Sequence, residues 1–156
     1  MFKEMRRKNR SLDTEQALEI LERGVYGVLS TAGENGYAYG VPVNYVYQNG
    51  SIYFHSAREG NKLDNIRYCD KVSFCVVGDA KPIPEKFSCL YESVITFGKA
   101  VEVQGAEKEE ALLALVQKYS AEYREAGAEY IKRAADKTGV IKITIEHLTG
   151  KQNMKK

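Results

Sequence analysis

"YAYGVPVNYVYQNGSIYFHSAREGNKLDNI" (residues 37–66) decides how this chain folds. Residues 37–47 are rich in valine and tyrosine, and they predict one long strand. Pro42 lies inside it and has no N–H for a ladder, so the strand is an edge or is bulged there. "QNG" (48–50) is a hairpin turn signal, and "SIYFH" (51–55) is its partner strand. In that partner Ile52 and Phe54 face one way, and Tyr53 and His55 the other. Beyond His55 the pattern becomes helical over 60–69, with Leu63, Ile66 and Arg67 spaced for one face. The junction holds Ser56, Gly60 and Lys62. A helix N-terminus offers unpaired N–H groups and a partial positive charge, which suits a phosphate or carboxylate. Lys62 adds a full charge, and Gly60 lets backbone amides come close to a ligand. The plainer alternative is that Ser56 caps the turn and Lys62 is solvated.

Working outward, residues 12–24 read as a short helix. Asp13 or Thr14 caps it, Ala17, Leu18 and Leu21 share a face, and Gly24 follows its end. Residues 25–31 form a strand and "GENG" (33–36) a turn, so the region up to 56 reads as a three-stranded antiparallel meander. A fourth strand follows at 71–78. Residues 79–89, with Pro82 and Pro84, read as a loop. A fifth strand at 93–103 carries Gly98 as a bend or bulge. Two helices fill 107–139, with Gly127 weakening the second, and 140–148 alternates as a sixth strand. Six mostly antiparallel strands with helices at the front, middle and end predict a mainly β fold with peripheral helices. A closed or partly closed barrel removes exposed edges.

With 156 residues, 44% apolar and 28% charged, the chain reads as one soluble globular domain over 1–156, with a basic arm at 1–10. No apolar run reaches the ~20 residues of a membrane span. The basic start is not followed by the apolar segment of a secretory signal. Cys69, Cys75 and Cys89 are odd in number and form no C-x-x-C pair, which fits a reducing, cytoplasmic setting. The arm holds Lys3, Arg6, Arg7, Lys8 and Arg10, but no basic helix or aromatic platform accompanies it. A solvated arm is therefore expected rather than a nucleic-acid contact.

Neither phosphate-loop fingerprint occurs, and there is no G-x-S-x-G elbow. His55 and His147 are the only histidines and show no zinc spacing with the cysteines, so no metal is expected. A chain so poor in nucleophiles and proton shuttles fits chemistry supplied by a cofactor. Besides residues 55–62, two stretches stand out. In "VPVNY" (41–45) the proline frees nearby backbone groups, and Asn44 offers donors and an acceptor. In "YESVITFG" (91–98) Ser93 opens a strand. Each also has a purely structural reading, as a bulged edge and as a closed turn. His55 likewise reads either as a ligand contact or as a satisfied strand histidine.

"GVPVNYVY", "GSIYFHSAREGNKLDNIR", "VSFCV" and "YESVITFGKAVEV" together resemble the nitroimidazole-resistance (Nim-like) branch of the pyridoxamine 5′-phosphate oxidase-like flavin-binding proteins. "MRRKNRSLD" and "HLTGKQ" are similar to that branch too, and the likeness spans nearly the whole chain. The most specific parts are P-x-N-Y, Y-F-H-S-A-x-E-G-x-K and Y-x-S-V-x-x-F-G. The resemblance implies an FMN-binding split barrel that forms a homodimer with the flavin at the interface. It implies that Ser56 and Lys62 hold the FMN phosphate while Ala57 and Gly60 shape its loop. Pro42, Val43 and Asn44 would meet the isoalloxazine ring, and His55 would lie along the flavin. Ser93 and Val94 would approach from a neighbouring strand, in the same or the partner subunit. Pyridoxamine phosphate oxidases carry several arginines that clamp the substrate phosphate, including one on a C-terminal strand, and this chain lacks that set. The activity implied is reduction of a small flat electron-poor molecule, such as a nitroaromatic, with NAD(P)H or a redox protein as donor. The alternatives are a non-catalytic flavin carrier or sensor, and a haem-binding split barrel in which His55 or His147 would be the axial ligand.

Overall fold

The computed structural model describes residues 1–153; the last three residues of the expected 1–156 unit lie outside the described residues. In chain order the elements are β1 (Ser11–Leu12), α1 (Thr14–Arg23), β2 (Gly27–Ala32), β3 (Ala38–Val43), β4 (Val46–Gln48), β5 (Ser51–Ala57) and α2 (Asn61–Tyr68). They continue with β6 (Lys71–Ile83), β7 (Ser88–Val103), α3 (Gly105–Tyr119), α4 (Arg124–Ala134) and β8 (Thr138–Asn153). All strands belong to one antiparallel sheet in the order β3-β2-β6-β7-β8-β5-β4, with β1 added to β8. The two end strands, β3 and β4, are neighbours in sequence, separated only by Asn44 and Tyr45. The sheet therefore curls until its ends meet at that link without pairing across it, which makes a split barrel.

Three expectations need correction. The single strand over 37–47 is two strands, because Val43 pairs with Gly27 of β2 while Val46 pairs with Tyr53 of β5. The expected meander is thus two hairpins at opposite ends of the sheet, and the strand count is eight rather than six. The stretch 79–89 is not a loop: β6 and β7 run on as a long hairpin to Ile83 and Ser88 around a 3-10 turn at Pro84–Lys86. Proline is tolerated there because β2 pairs only with Ser73–Cys75 of β6, so the far part of β6 has a free edge. The sixth strand also runs well past 140–148, where it stays paired to β7 as far as Asn153.

Other signals hold. Pro42 sits in β3, which pairs only with β2 and so is an edge. Asp13 caps α1 in a reciprocal box with Gln16. Ala17, Ile20 and Leu21 are buried from α1. In α2 it is Leu63 and Ile66 that enter the core, while Arg67 stays outside and pairs with Asp64. At Gly98 the β7–β8 register shifts, so that Phe97 faces His147, Gly98 faces Ile145, and Glu146 is extra.

Two apolar clusters hold the fold. The barrel interior packs Leu29, Tyr45, Ile52, Phe54, Phe74, Val76, Val94, Ile141 and Ile143 beneath α1 and α2. A second cluster lies outside the barrel wall, where α3 and α4 press Leu112, Leu115 and Ile131 against Tyr53, Val103 and Val140. Strand β5 is therefore buried on both faces along Ile52–Phe54, one face to each cluster. A prediction follows at Gly98, where an added Cβ would overlap the carbonyl of Thr144 in the paired strand. Gly98→Ala should lose roughly 1–3 kcal/mol in urea unfolding. Gly40→Ala, whose Cβ would meet Val28 at an ordinary 3.5 Å, should stay within about 0.5 kcal/mol.

Candidate functional site

His55 follows Tyr53 on the outer face of β5, so it emerges where the α3–α4 pair covers the sheet. There a cavity of about 260 Å³ opens, with Asn44, His55, Ser120 and Thr138 among its lining. The rest of its wall is apolar or aromatic, including Leu115, Tyr119, Tyr130 and Ile131. Among the described residues no lysine, arginine or carboxylate lines it. Such a hole accepts a small uncharged ring with polar groups at one end.

The end of α3 fixes this cavity to the break in the barrel. The Tyr119 hydroxyl accepts from the Tyr45 N–H at 3.0 Å, and its oxygen lies 2.6 Å from the Val25 carbonyl and 2.9 Å from that of Tyr45. Asn44 Nδ2 donates to the same Val25 carbonyl at 2.9 Å. Tyr45 itself turns inward, fully buried, and donates its hydroxyl to the Leu21 carbonyl. Burial, and then Tyr119 beside it, push its phenol above the ordinary range. Sequence reasoning missed Tyr119, since a tyrosine in the last turn of a helix carries no local signal of so distant a bond. Lys118 was missed too. Its Nζ is buried without a hydrogen-bond partner and sits 4.0 Å over the Tyr45 ring. Burial lowers its pKa to about 8. At the other end of α3, Glu107 accepts from the Tyr53 hydroxyl at 2.8 Å and from Lys142 at 2.6 Å.

The junction read from sequence is present. Gly60 caps α2 with φ 129°, and its carbonyl accepts from Leu63 and Asp64. Open space surrounds the position where a Cβ would stand. Lys62 is half-buried in the first turn of α2, and among the described residues its ammonium makes no hydrogen bond or ion pair. Ser56 is buried, and its hydroxyl donates to the Ala57 carbonyl at 2.8 Å, so it must turn to serve an anion. Ala57 is exposed beside it. The unpartnered ammonium, the open glycine and the helix start form a donor set that fits one phosphate.

Strand β3 joins the two ends of the site. Its start, Ala38 and Tyr39, shares a polar hollow with Asn61, Asp64 and Asn65 of α2. Its end leads through Pro42 and Val43 to Asn44 and the apolar cavity. From Ala38 to Asn44 is roughly 20 Å at about 3.4 Å per residue. As an edge strand it pairs on one side only, leaving backbone donors and acceptors along the other.

Ser93 and Val94 lie elsewhere. Ser93 pairs with Lys151 and His55 with Val140, eleven residues apart along β8. That is on the order of 35 Å of strand. Ser93 shares the outer sheet face with Ile95, Phe97, His147 and Lys151. The Val94 side chain points into the barrel core. Within one chain, then, Asn44 and His55 come together, Gly60 and Lys62 lie at the head of α2, and Ser93 stands apart.

A sequence model of the pyridoxamine 5′-phosphate oxidase family matches residues 13–152, and the chain belongs to that family. Comparison with curated proteins gives no match. Solved structures are similar in fold. A candidate 5-nitroimidazole antibiotic resistance protein from Bacteroides thetaiotaomicron is 22% identical, with TM-score 0.75, covering 91% of this chain and 86% of its own. A FAD-binding protein from Mesorhizobium loti is 19% identical, with TM-score 0.66 and coverage of 93% and 98%. A FAD- and haem-binding protein from Mycobacterium smegmatis is 13% identical, with TM-score 0.74 and coverage of 95% and 75%.

Two outcomes test this geometry. Tyr119→Phe leaves the Tyr45 N–H without its partner, and should cost about 1–3 kcal/mol in chemical denaturation. Lys118 titrates near 8 when folded and near 10.5 when free. Between those values the unfolded chain holds more protons, so stability rises with pH. The stability of Lys118→Met relative to the parent should therefore be constant below about pH 8 and fall progressively between about 8 and 10.5. A difference independent of pH across that window would show that Lys118 keeps its free pKa.

Proposed function

We propose that this member of the family binds FMN and uses it to reduce a small, flat, electron-poor molecule such as a nitroaromatic. The observation that carries the reading is the free edge of β3. Its start lies against Asn61, Asp64 and Asn65 of α2, the helix whose first turn holds Lys62 behind the Gly60 cap, and its end leads to the cavity at Asn44 and His55. That span suits one elongated molecule with an anionic tail and a flat head. Lys62 would hold the phosphate, with Ser56 turning to assist and Ala57 and Gly60 shaping the loop. Backbone groups near Pro42 and Val43, with Asn44, would orient the ring, and His55 would lie along it. When bound, the flavin would supply the hydride or electron transfer, so no side chain need be a strong acid or base. The cavity, at about 260 Å³, is below the usual 300–1,000 Å³ of larger ligands and is small for haem.

A homodimer completes this reading. The outer sheet face leaves Val77, Ile95 and Phe97 exposed, an apolar surface that a second copy would cover. Ser93 on that face would then reach the flavin of the partner, with Val94 contributing backbone alone. NAD(P)H or a redox protein would be the donor, and the cytoplasm the setting. The arm contributes local contacts, with Lys8 on Glu4 at 2.6 Å and Arg10 on the Tyr91 hydroxyl at 3.5 Å. Nucleic acid has no part in this reading. Among the described residues no helix is long and apolar enough to cross a membrane.

The phosphate seat is tested by the double variant Ser56→Ala/Lys62→Ala. Each charge-assisted bond lost is worth roughly 1.5–3 kcal/mol, so FMN affinity measured by fluorescence quenching should fall at least ten-fold. Equal affinity in parent and variant would remove Lys62 and Ser56 from the site. Steady oxidation of NADH or NADPH with a nitroaromatic acceptor separates an enzyme from a flavin carrier.

A further inference from the structure

Lys118 carries the one buried side-chain polar atom without a hydrogen-bond partner among the described residues. Leaving an ammonium in that condition is costly, because burial removes water and no acceptor replaces it. The face of the Tyr45 ring, 4.0 Å away, offsets part of the cost. Burial alone accounts for the lowered pKa, and no anion stands beside the ammonium to raise it. A costly unpaired charge calls for a reason beyond packing.

Its position supplies one. Lys118 sits in the last turn of α3, next to Tyr119, whose hydroxyl holds the Val25 and Tyr45 backbone at the break in the barrel. Asn44, the side chain assigned to the flavin ring, is tied to the same Val25 carbonyl. The ammonium lies over the ring of Tyr45, the residue that follows Asn44 in the link beyond β3. Among the described residues the cavity there has no lysine, arginine or carboxylate in its wall. We infer that Lys118 is an electrostatic positioning residue, held without a partner so that its charge favours the reduced flavin over the oxidised one. Reduction by a hydride donor adds two electrons and one proton to a neutral ring, which then carries one negative charge. Lys118 forms no bond in that step and keeps its proton. The inference rests on the flavin reading above.

The experiment compares wild type with Lys118→Met and Lys118→Gln, each loaded with FMN. It reads the affinity for oxidised FMN and the midpoint potential from an anaerobic dithionite titration against a reference dye. Both neutral variants should bind oxidised FMN within about two-fold of wild type. Their potential should be more negative, corresponding to a ratio of reduced to oxidised affinity lower by about ten-fold, as expected for losing one nearby charge in partly buried surroundings. Either variant that folds decides the matter. A potential equal to that of wild type overturns the inference and leaves the flavin reading intact. Failure of wild type itself to bind FMN overturns the flavin reading and the inference with it.

Discussion

The structure depends on one constraint, the two-residue link at Asn44–Tyr45 between strands that lie at opposite ends of the sheet path. So short a link forces the sheet to curl until β3 and β4 are side by side. Yet no ladder joins them, so something else must satisfy the backbone at the gap. Tyr119 does so from outside with one hydroxyl, while the Tyr45 ring fills the core from inside. The gap exposes the free edge of β3 and seats the α3–α4 pair over β5. The cavity and the candidate cofactor track are consequences of leaving the barrel split.

That arrangement also explains why the site needs so few reactive groups. Its head is apolar and uncharged, its tail is a helix start with one unpartnered lysine, and the connection is backbone. Such a site positions and desolvates a bound molecule while contributing little chemistry of its own. The fold alone does not fix the cofactor, since similar structures include a FAD-binding protein and a FAD- and haem-binding protein. This chain carries a cavity of about 260 Å³ beside Asn44 and His55 and a hollow beside α2 lined by Glu34 and Asp64.

Much of this was legible from local rules. Pro42 announced an edge, Asn49 and Gly50 supplied the positive φ of the tight turn, and Gly98 marked a register shift. Gly60 and Lys62 could be placed at a helix start from their spacing alone. The break at Asn44 could not, because residues 37–47 read as a continuous strand, and period and propensity are blind to which partner a strand chooses. The β6–β7 extension was hidden by Pro82, which is tolerated because that edge is free, and by Pro84, which opens the turn. Tyr119 and Lys118 act on residues more than 70 positions away, a distance over which sequence pattern carries no information. Ser93 was expected to open a strand, but β7 begins earlier, at Ser88, and the distance from Ser93 to His55 emerges only from the register along β8.

The central claim is that the free edge of β3 and the start of α2 hold a flavin. The most direct measurement is the visible absorbance spectrum of the purified protein across a size-exclusion peak, with and without added FMN. The account predicts flavin bands that co-elute with a species of twice the chain mass and saturate at one FMN per chain. A colourless protein that leaves added FMN wholly in the small-molecule fraction would contradict it.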